Sequence, residues 1–216
     1  MKVNSVGNQQ NFEGKVVLKN KISVQQNSLF NKHKSNLDKM IEEMPFDLFV
    51  EQSKSKKTIS LSTNVEGTAS YFVRKNEQNF EEMAGYAIAE GKQKSPIYKK
   101  MVKVNEMFNY QKMTMLNIVS GNFKEARESE KQLAKLAVQD FDTFKEIPHI
   151  KFTDVPLDMG KQMIKQGVKY RLYRAFSPKT KEEKQFLKMK KDYYNELKAK
   201  NEKPKVSEIK LPKYYF

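Results

Sequence analysis

The sequence predicts an α+β fold: a small antiparallel sheet with one covering helix, followed by a helical bundle built on a long antiparallel helical hairpin. Residues 12–75 contain short runs rich in phenylalanine, valine, isoleucine and threonine, separated by polar turn residues. Residues 76–200 instead place their apolar residues at helical spacing. Between two of these helical segments, Gly121-Asn122 combines a helix stop with a helix start.

The first segment predicts a three-stranded meander over 46–51, 58–63 and 69–74. Ile59 and Leu61 alternate with polar residues, which is typical of an antiparallel sheet with one buried face. A helix over residues 28–44, ended by a proline, is the expected cover. The stretch 16–24 predicts a short hairpin, and a single bent strand fits it nearly as well.

The central segment predicts two antiparallel helices joined by a tight turn. The first starts at Ser95-Pro96, because serine accepts a hydrogen bond from a free amide and proline needs no donor there. Gly121 ends it, and Asn122 with Glu125 forms an asparagine version of a capping box. The second helix then runs to Pro148. The buried stripe expected on the first helix is Ile97, Met101, Val104, Phe108, Met115 and Ile118.

Further helices are predicted on both sides of this hairpin. The stretch 79–82 opens a helix that Gly91 is expected to end, and residues 148–156 indicate an extended connector. Thr180 with Glu183 forms a capping box that starts the last helix. Between connector and last helix, a helix weakened by two glycines carries an apolar side made of Met163, Ile164, Val168, Leu172 and Phe176.

Chain length leaves the number of domains open, since 216 residues suit one substantial core or two small ones. We expect a sheet-and-helix part over 12–75, a helical bundle over 76–200, and an extended tail over 201–216 whose aromatic residues can pack back. No linker of clear composition separates Arg74 from Asn79, so one continuous core is also compatible with the sequence.

Composition excludes several classes of protein. The chain has no cysteine, and therefore no disulfide, thiolate metal site or thiol nucleophile. It has no apolar run long enough to span a membrane, and its first residues lack a hydrophobic signal core. Abundant lysine and asparagine are typical of AT-rich coding sequences. We therefore expect a cytoplasmic protein of a bacterial or phage-like cell.

The net charge of +15 is concentrated at the carboxy-terminal end. Residues 161–216 carry 17 basic and 6 acidic side chains, whereas residues 76–160 carry 12 and 13. This asymmetry indicates an anionic partner for the last quarter. However, 37 of the 41 basic residues are lysine, while arginine is preferred for bidentate contacts to phosphate and guanine. The lysine bias speaks against sequence-specific recognition of nucleic acid.

No catalytic, cofactor or metal site is predicted. His33 lies on the apolar side of its helix and is interpreted as a hydrogen-bonded, partly buried side chain. His149 could act as a general base near Asp154 or Asp158, but no motif supplies a nucleophile. Neither histidine stands at metal-ligand spacing, and the glycines form no phosphate-binding loop. We therefore expect a protein that is not an enzyme and needs no cofactor.

The leading interpretation is a non-enzymatic protein-interaction or structural module with an unknown protein partner. The alternative is sequence-nonspecific binding of nucleic acid, with tyrosines among the lysines stacking on single-stranded bases. A basic helix lying on anionic lipid is least favoured, because Gly160 and Gly167 weaken that helix and the chain lacks tryptophan. A lysine-rich face that only solubilises the protein also fits. Candidate anion contacts are Lys161, Lys165, Lys169, Arg171, Arg174, Lys181, Lys184, Lys188 and Lys191.

Overall fold

The structure is a computed structural model that describes residues 13–20, 24–53, 58–74 and 79–210. It confirms the α+β class, with a four-stranded sheet preceding most of the helices. The chain forms two compact units that divide inside a helix, one over Gln10–Met101 and the other from Val102 onward. Ile22 of the expected hairpin, the turn at 54–57 and the end of the tail at 211–216 lie outside the described residues.

The sheet of the first unit has the order β1-β2-β3-β4. Its antiparallel part, β2 to β4, is the predicted meander. The expected hairpin at 16–24 is wrong, because Val24 begins a helix and β1 pairs with β2 in parallel, Val16 opposite Leu48. A parallel neighbour requires a crossover, which this helix supplies. The strands are β1 (Val16–Leu18), β2 (Leu48–Gln52), β3 (Thr58–Thr63) and β4 (Tyr71–Arg74).

Two helices, α1 (Val24–Ile41) and α2 (Phe80–Lys94), cover one face of this sheet. The predicted boundary at residues 75 and 76 assigned α2 to the helical bundle, yet its buried face packs against the sheet core. Phe72 on the opposite sheet face is exposed, as expected for a sheet covered on one side. The largest side chains of this core that are completely buried are Phe30, Leu37, Ile41, Leu48, Ile59, Leu61 and Phe80.

Gly91 does not end α2, which continues to Lys94. A Cβ atom at Gly91 would lie 2.9 Å from the ring of Phe46, so glycine lets the helix approach the core closely. The helix starts where predicted, but the side chain of Asn79 makes no capping hydrogen bond.

The helical hairpin comprises α3 (Pro96–Val119) and α4 (Phe123–Gln139), joined at Gly121, whose φ is +79°. Its antiparallel arrangement brings Lys103 Nζ within 3.1 Å of Asp140 Oδ2. The second arm does not run unbroken to Pro148, as expected. Asp140 interrupts it and accepts a hydrogen bond from the backbone N–H of Thr143 at 3.2 Å, which caps α5 (Phe141–Glu146).

The core of the second unit lies where α3, α4, α5 and the last helix meet. Met107 of α3 is buried there, whereas Met101 and Met115 of the predicted stripe are half-buried and Ile97 is exposed. Asn122 occupies the capping position of α4 but makes no side-chain capping bond. The buried members of this core are Met107, Leu133, Ala134, Ala137, Phe144, Ile147 and Phe186.

The last quarter forms α6 (Leu157–Phe176) and α7 (Lys181–Ala199), which both pack against α4. The capping box of Thr180 and Glu183 is confirmed. The expected connector and tail are instead partners: β5 (His149–Thr153) pairs in parallel with β6 (Val206–Lys210). Strands so far apart in sequence give no local pairing signal, so the sequence indicated extended segments without their pairing.

Candidate interaction surface

The helix α6 exposes a row of large apolar side chains. It is continuous through Gly160 and Gly167 and ends before Ser177-Pro178. Of the five residues that form its predicted apolar side, four are exposed and only Met163 is half-buried. The row, called the outer row below, comprises Leu157 (79% exposed), Ile164 (71%), Val168 (52%), Leu172 (58%) and Phe176 (88%).

Polar contacts on the opposite side of α6 explain this orientation. The buried Tyr170 donates its hydroxyl hydrogen to Glu130 Oε2 at 2.9 Å, and its ring packs against Phe123 at 5.8 Å between centroids. Arg174 Nη2 lies 2.9 Å from Glu130 Oε1. Since these residues hold one side of α6 against α4, the outer row on the other side points away from the fold.

A buried cluster of charged residues lies next to the contact between α6 and α4. Arg127 donates to Glu183 Oε2 at 2.9 Å and to the carbonyl oxygen of Pro178 at 3.1 Å, and it also pairs with Glu130. Both Arg127 and Glu183 are almost fully buried. Burial and the charge of Glu130 raise the pKa of Tyr170, so its hydroxyl stays protonated. The cluster connects α4 to the start of α7 and to the inner side of α6.

A row of lysines, called the lysine row, lies beside the outer row. Lys161, Lys165 and Lys169 are exposed, and each precedes an outer-row residue by three positions. This spacing places the two rows about 60° apart around the helix. Within the described residues, none of the three lysines has an acidic partner, so their charges face solvent uncompensated.

Cations also lie on the other flank of the outer row. Arg171 follows Val168 by three positions, which puts it on the side opposite the lysine row. An open depression between α6 and α7 is lined by Arg171, Arg174, Lys179, Ala175 and Leu187. The structure thus brings together two predicted anion contacts, Arg171 and Arg174, and adds Lys179, which the sequence analysis did not single out.

The remaining predicted contacts lie on α7, where Lys181, Lys184, Lys188 and Lys191 are exposed. The tyrosines expected to stack on bases are largely engaged within the protein. Tyr170 is buried, Tyr193 is half-buried and meets Phe141 edge to face, and Tyr194 OH lies 2.6 Å from His149 Nε2. Tyr173 is 40% exposed, but its ring packs against Phe123. These rings do not form an open stacking platform.

The two histidines have separate structural partners. His33 is partly buried, with Nδ1 2.9 Å from Glu81 Oε1, as expected for a hydrogen-bonded side chain. His149 is hydrogen-bonded to Tyr194 and not placed with Asp154, which pairs with Lys210 at 3.1 Å. Burial, and then the charge of Lys190, lower the pKa of His149.

Within the part of the chain that the structure describes, no group of three acidic or histidine side chains could hold a metal ion. None of the described helices is both long and apolar enough to cross a membrane. No family model, curated protein or solved structure matches this chain.

Proposed function

We propose that this protein is a non-enzymatic interaction module that binds through the outer row of α6 and its cationic flanks. The main support is the outer row itself, which consists of five large apolar side chains, each more than half exposed, aligned on one helix. A contiguous apolar patch rimmed by polar residues is typical of an interaction site. The flanking cations favour a partner whose contacting surface is apolar at its centre and anionic at its edges.

A photo-crosslinking experiment in the native host tests this proposal. A photoreactive amino acid replaces Val168 in one variant and Phe72, a similarly exposed residue on β4, in a matched control. We expect a discrete adduct from position 168 and none from position 72. Adducts are analysed for both peptide and lipid. If position 168 gives no adduct above the control, the outer row is not a binding surface and the proposal fails.

A second candidate function is sequence-nonspecific binding of nucleic acid, favoured by the cationic depression at Arg171, Arg174 and Lys179 together with the exposed lysines of α7. Binding of labelled DNA and RNA is measured across a salt series. A nucleic-acid binder would lose affinity steeply with salt, and replacing Lys184, Lys188 and Lys191 by glutamine would flatten that dependence. No binding at low salt would eliminate this function.

A further inference from the structure

We infer that the partner of the outer row is the surface of an anionic lipid bilayer, on which α6 lies parallel to the membrane plane. This inference rests on the proposed function, because it identifies the partner of the same surface. It differs from the sequence analysis, which least favoured this option. Gly160 and Gly167 do not interrupt α6, which is a continuous helix, and its large apolar residues face outward.

The arrangement of charge around the outer row supports a lipid surface. The lysine row stands on one flank and Arg171 with Lys179 on the other, so cations border the apolar centre on both sides. An interfacial helix inserts its apolar centre among the acyl chains and keeps its cations at the level of the headgroups. Anionic headgroups attract each such cation near the membrane surface.

The spacing of the row argues against a partner helix in a coiled coil. Its last four members follow one another at intervals of four, whereas a coiled-coil seam alternates intervals of three and four. On the heptad register that contains Leu157, Ile164 and Val168, Lys161 and Arg171 also fall in the seam. In a protein seam these charges would be buried, while on a bilayer their long side chains reach the headgroup layer.

Two other occupants fit the surface less well. A second copy of this chain would bring the same cations face to face, which opposes self-association. Nucleic acid would gain little from the aliphatic side chains of Ile164, Val168 and Leu172, because these offer no ring for base stacking. The combination of aliphatic centre and cationic flanks therefore favours anionic lipid.

Tryptophan fluorescence provides a direct test, because the chain contains no tryptophan. Val168→Trp introduces a single reporter in the outer row, and Phe72→Trp is the matched control on an exposed strand. With vesicles of phosphatidylcholine containing phosphatidylglycerol, we expect a blue shift and quenching by brominated acyl chains at position 168 only. Pure phosphatidylcholine vesicles should give a much weaker response. No shift at position 168 with anionic vesicles overturns the inference.

Vesicle flotation separates the apolar contribution to binding from the electrostatic contribution. It is carried out at about 0.15 M salt, an ionic strength at which charges near the membrane surface still attract one another. Replacing Ile164, Val168 and Leu172 by glutamine should weaken binding at least tenfold. Replacing Lys161, Lys165 and Lys169 by glutamine should weaken it about fivefold per lysine, on the order of a hundredfold in total. This triple substitution is called the lysine-row variant. The control, called the α7 variant, replaces Lys184, Lys188 and Lys191 by glutamine, which changes the net charge equally, and should weaken vesicle binding by less than tenfold.

The outcomes distinguish this inference from the proposed function. Equal losses in the lysine-row and α7 variants would mean that only net charge attracts the vesicles, and would overturn the inference. A peptide adduct from position 168, with no vesicle response, would refute the lipid partner while retaining the interaction surface. An absence of any adduct together with no vesicle response would refute both.

Discussion

Arg127 is the residue on which the local structure around α6 depends. Its guanidinium group compensates the buried carboxylate of Glu183 and also pairs with Glu130, which in turn accepts from Tyr170. Burial makes this cluster sensitive, because a charge left without its partner in a poorly hydrated site is costly. Exposed ion pairs elsewhere in the second unit, such as Lys131 with Glu128, lack this dependence.

We expect Arg127→Met to lower the free energy of unfolding by about 3 kcal/mol, because it leaves Glu183 buried without its cation. The matched control, Lys131→Met, removes an exposed partner of Glu128 and should change it by less than about 0.5 kcal/mol. Chemical denaturation of the full chain measures both values. If the two substitutions lowered the free energy of unfolding equally, the buried cluster would contribute no more to stability than an exposed ion pair.

His149 gives the second unit a pH dependence of defined sign. Burial and Lys190 lower its pKa below the ordinary value of 6.5, so the unfolded chain binds this proton more tightly than the folded one. The free energy of unfolding should therefore fall as pH drops from about 6.5 through the folded pKa. His149→Gln should lose less stability than the wild type between pH 7 and pH 5, measured by denaturation at each pH. Identical losses would contradict this assignment.

At the scale of elements, α6 shows what sequence patterns can and cannot establish. The helix and its apolar residues were predicted from the sequence, whereas no prediction was made of whether the fold covers that side. Periodicity reveals that a helix has an apolar side, and it does not reveal whether the fold covers that side. The available signal was the unbroken interval of four from Ile164 to Phe176, since core-facing stripes mix intervals of three and four.

Local signals located the starts of helices, although Asn79 and Asn122 stand at the predicted capping positions without making a side-chain capping bond. The capping box at Thr180 and the start of α3 at Ser95, whose Oγ accepts from the N–H of Tyr98, follow from neighbouring residues. The pairing of β5 with β6 and the ion pair of Arg127 with Glu183 join distant parts of the sequence. Such contacts depend on the assembled fold, which explains why the sequence analysis missed them.

The two glycines of α6 offer a test of its continuity. No atom lies within 4 Å of a Cβ built at Gly160 or Gly167, and neither has a positive φ. Replacing each by alanine should raise the free energy of unfolding by roughly 0.5 to 1 kcal/mol, because alanine loses less conformational entropy in a helix. Gly121→Ala is the contrast: its φ of +79° should make alanine destabilising by about 1 kcal/mol. A loss of stability on replacing Gly160 or Gly167 would contradict a regular α6.

At the scale of the whole molecule, the protein combines two compact units with a strong charge asymmetry. The first unit carries a sheet covered by two helices, and the second carries α6 with its exposed apolar row. The excess positive charge lies in the same part of the chain as this row. The proposed function requires that the fold leaves the outer row uncovered, as its exposed side chains indicate.

The free energy of unfolding of the triple variant Ile164→Gln, Val168→Gln, Leu172→Gln tests this claim most directly. Glutamine forms helices well and changes no charge, so removing exposed apolar side chains should alter stability by less than about 1 kcal/mol in total. If the row were packed inside the protein, each substitution would cost about 2 kcal/mol or more. A loss of about 5 kcal/mol or more would therefore show that the fold covers the outer row, and would contradict the account.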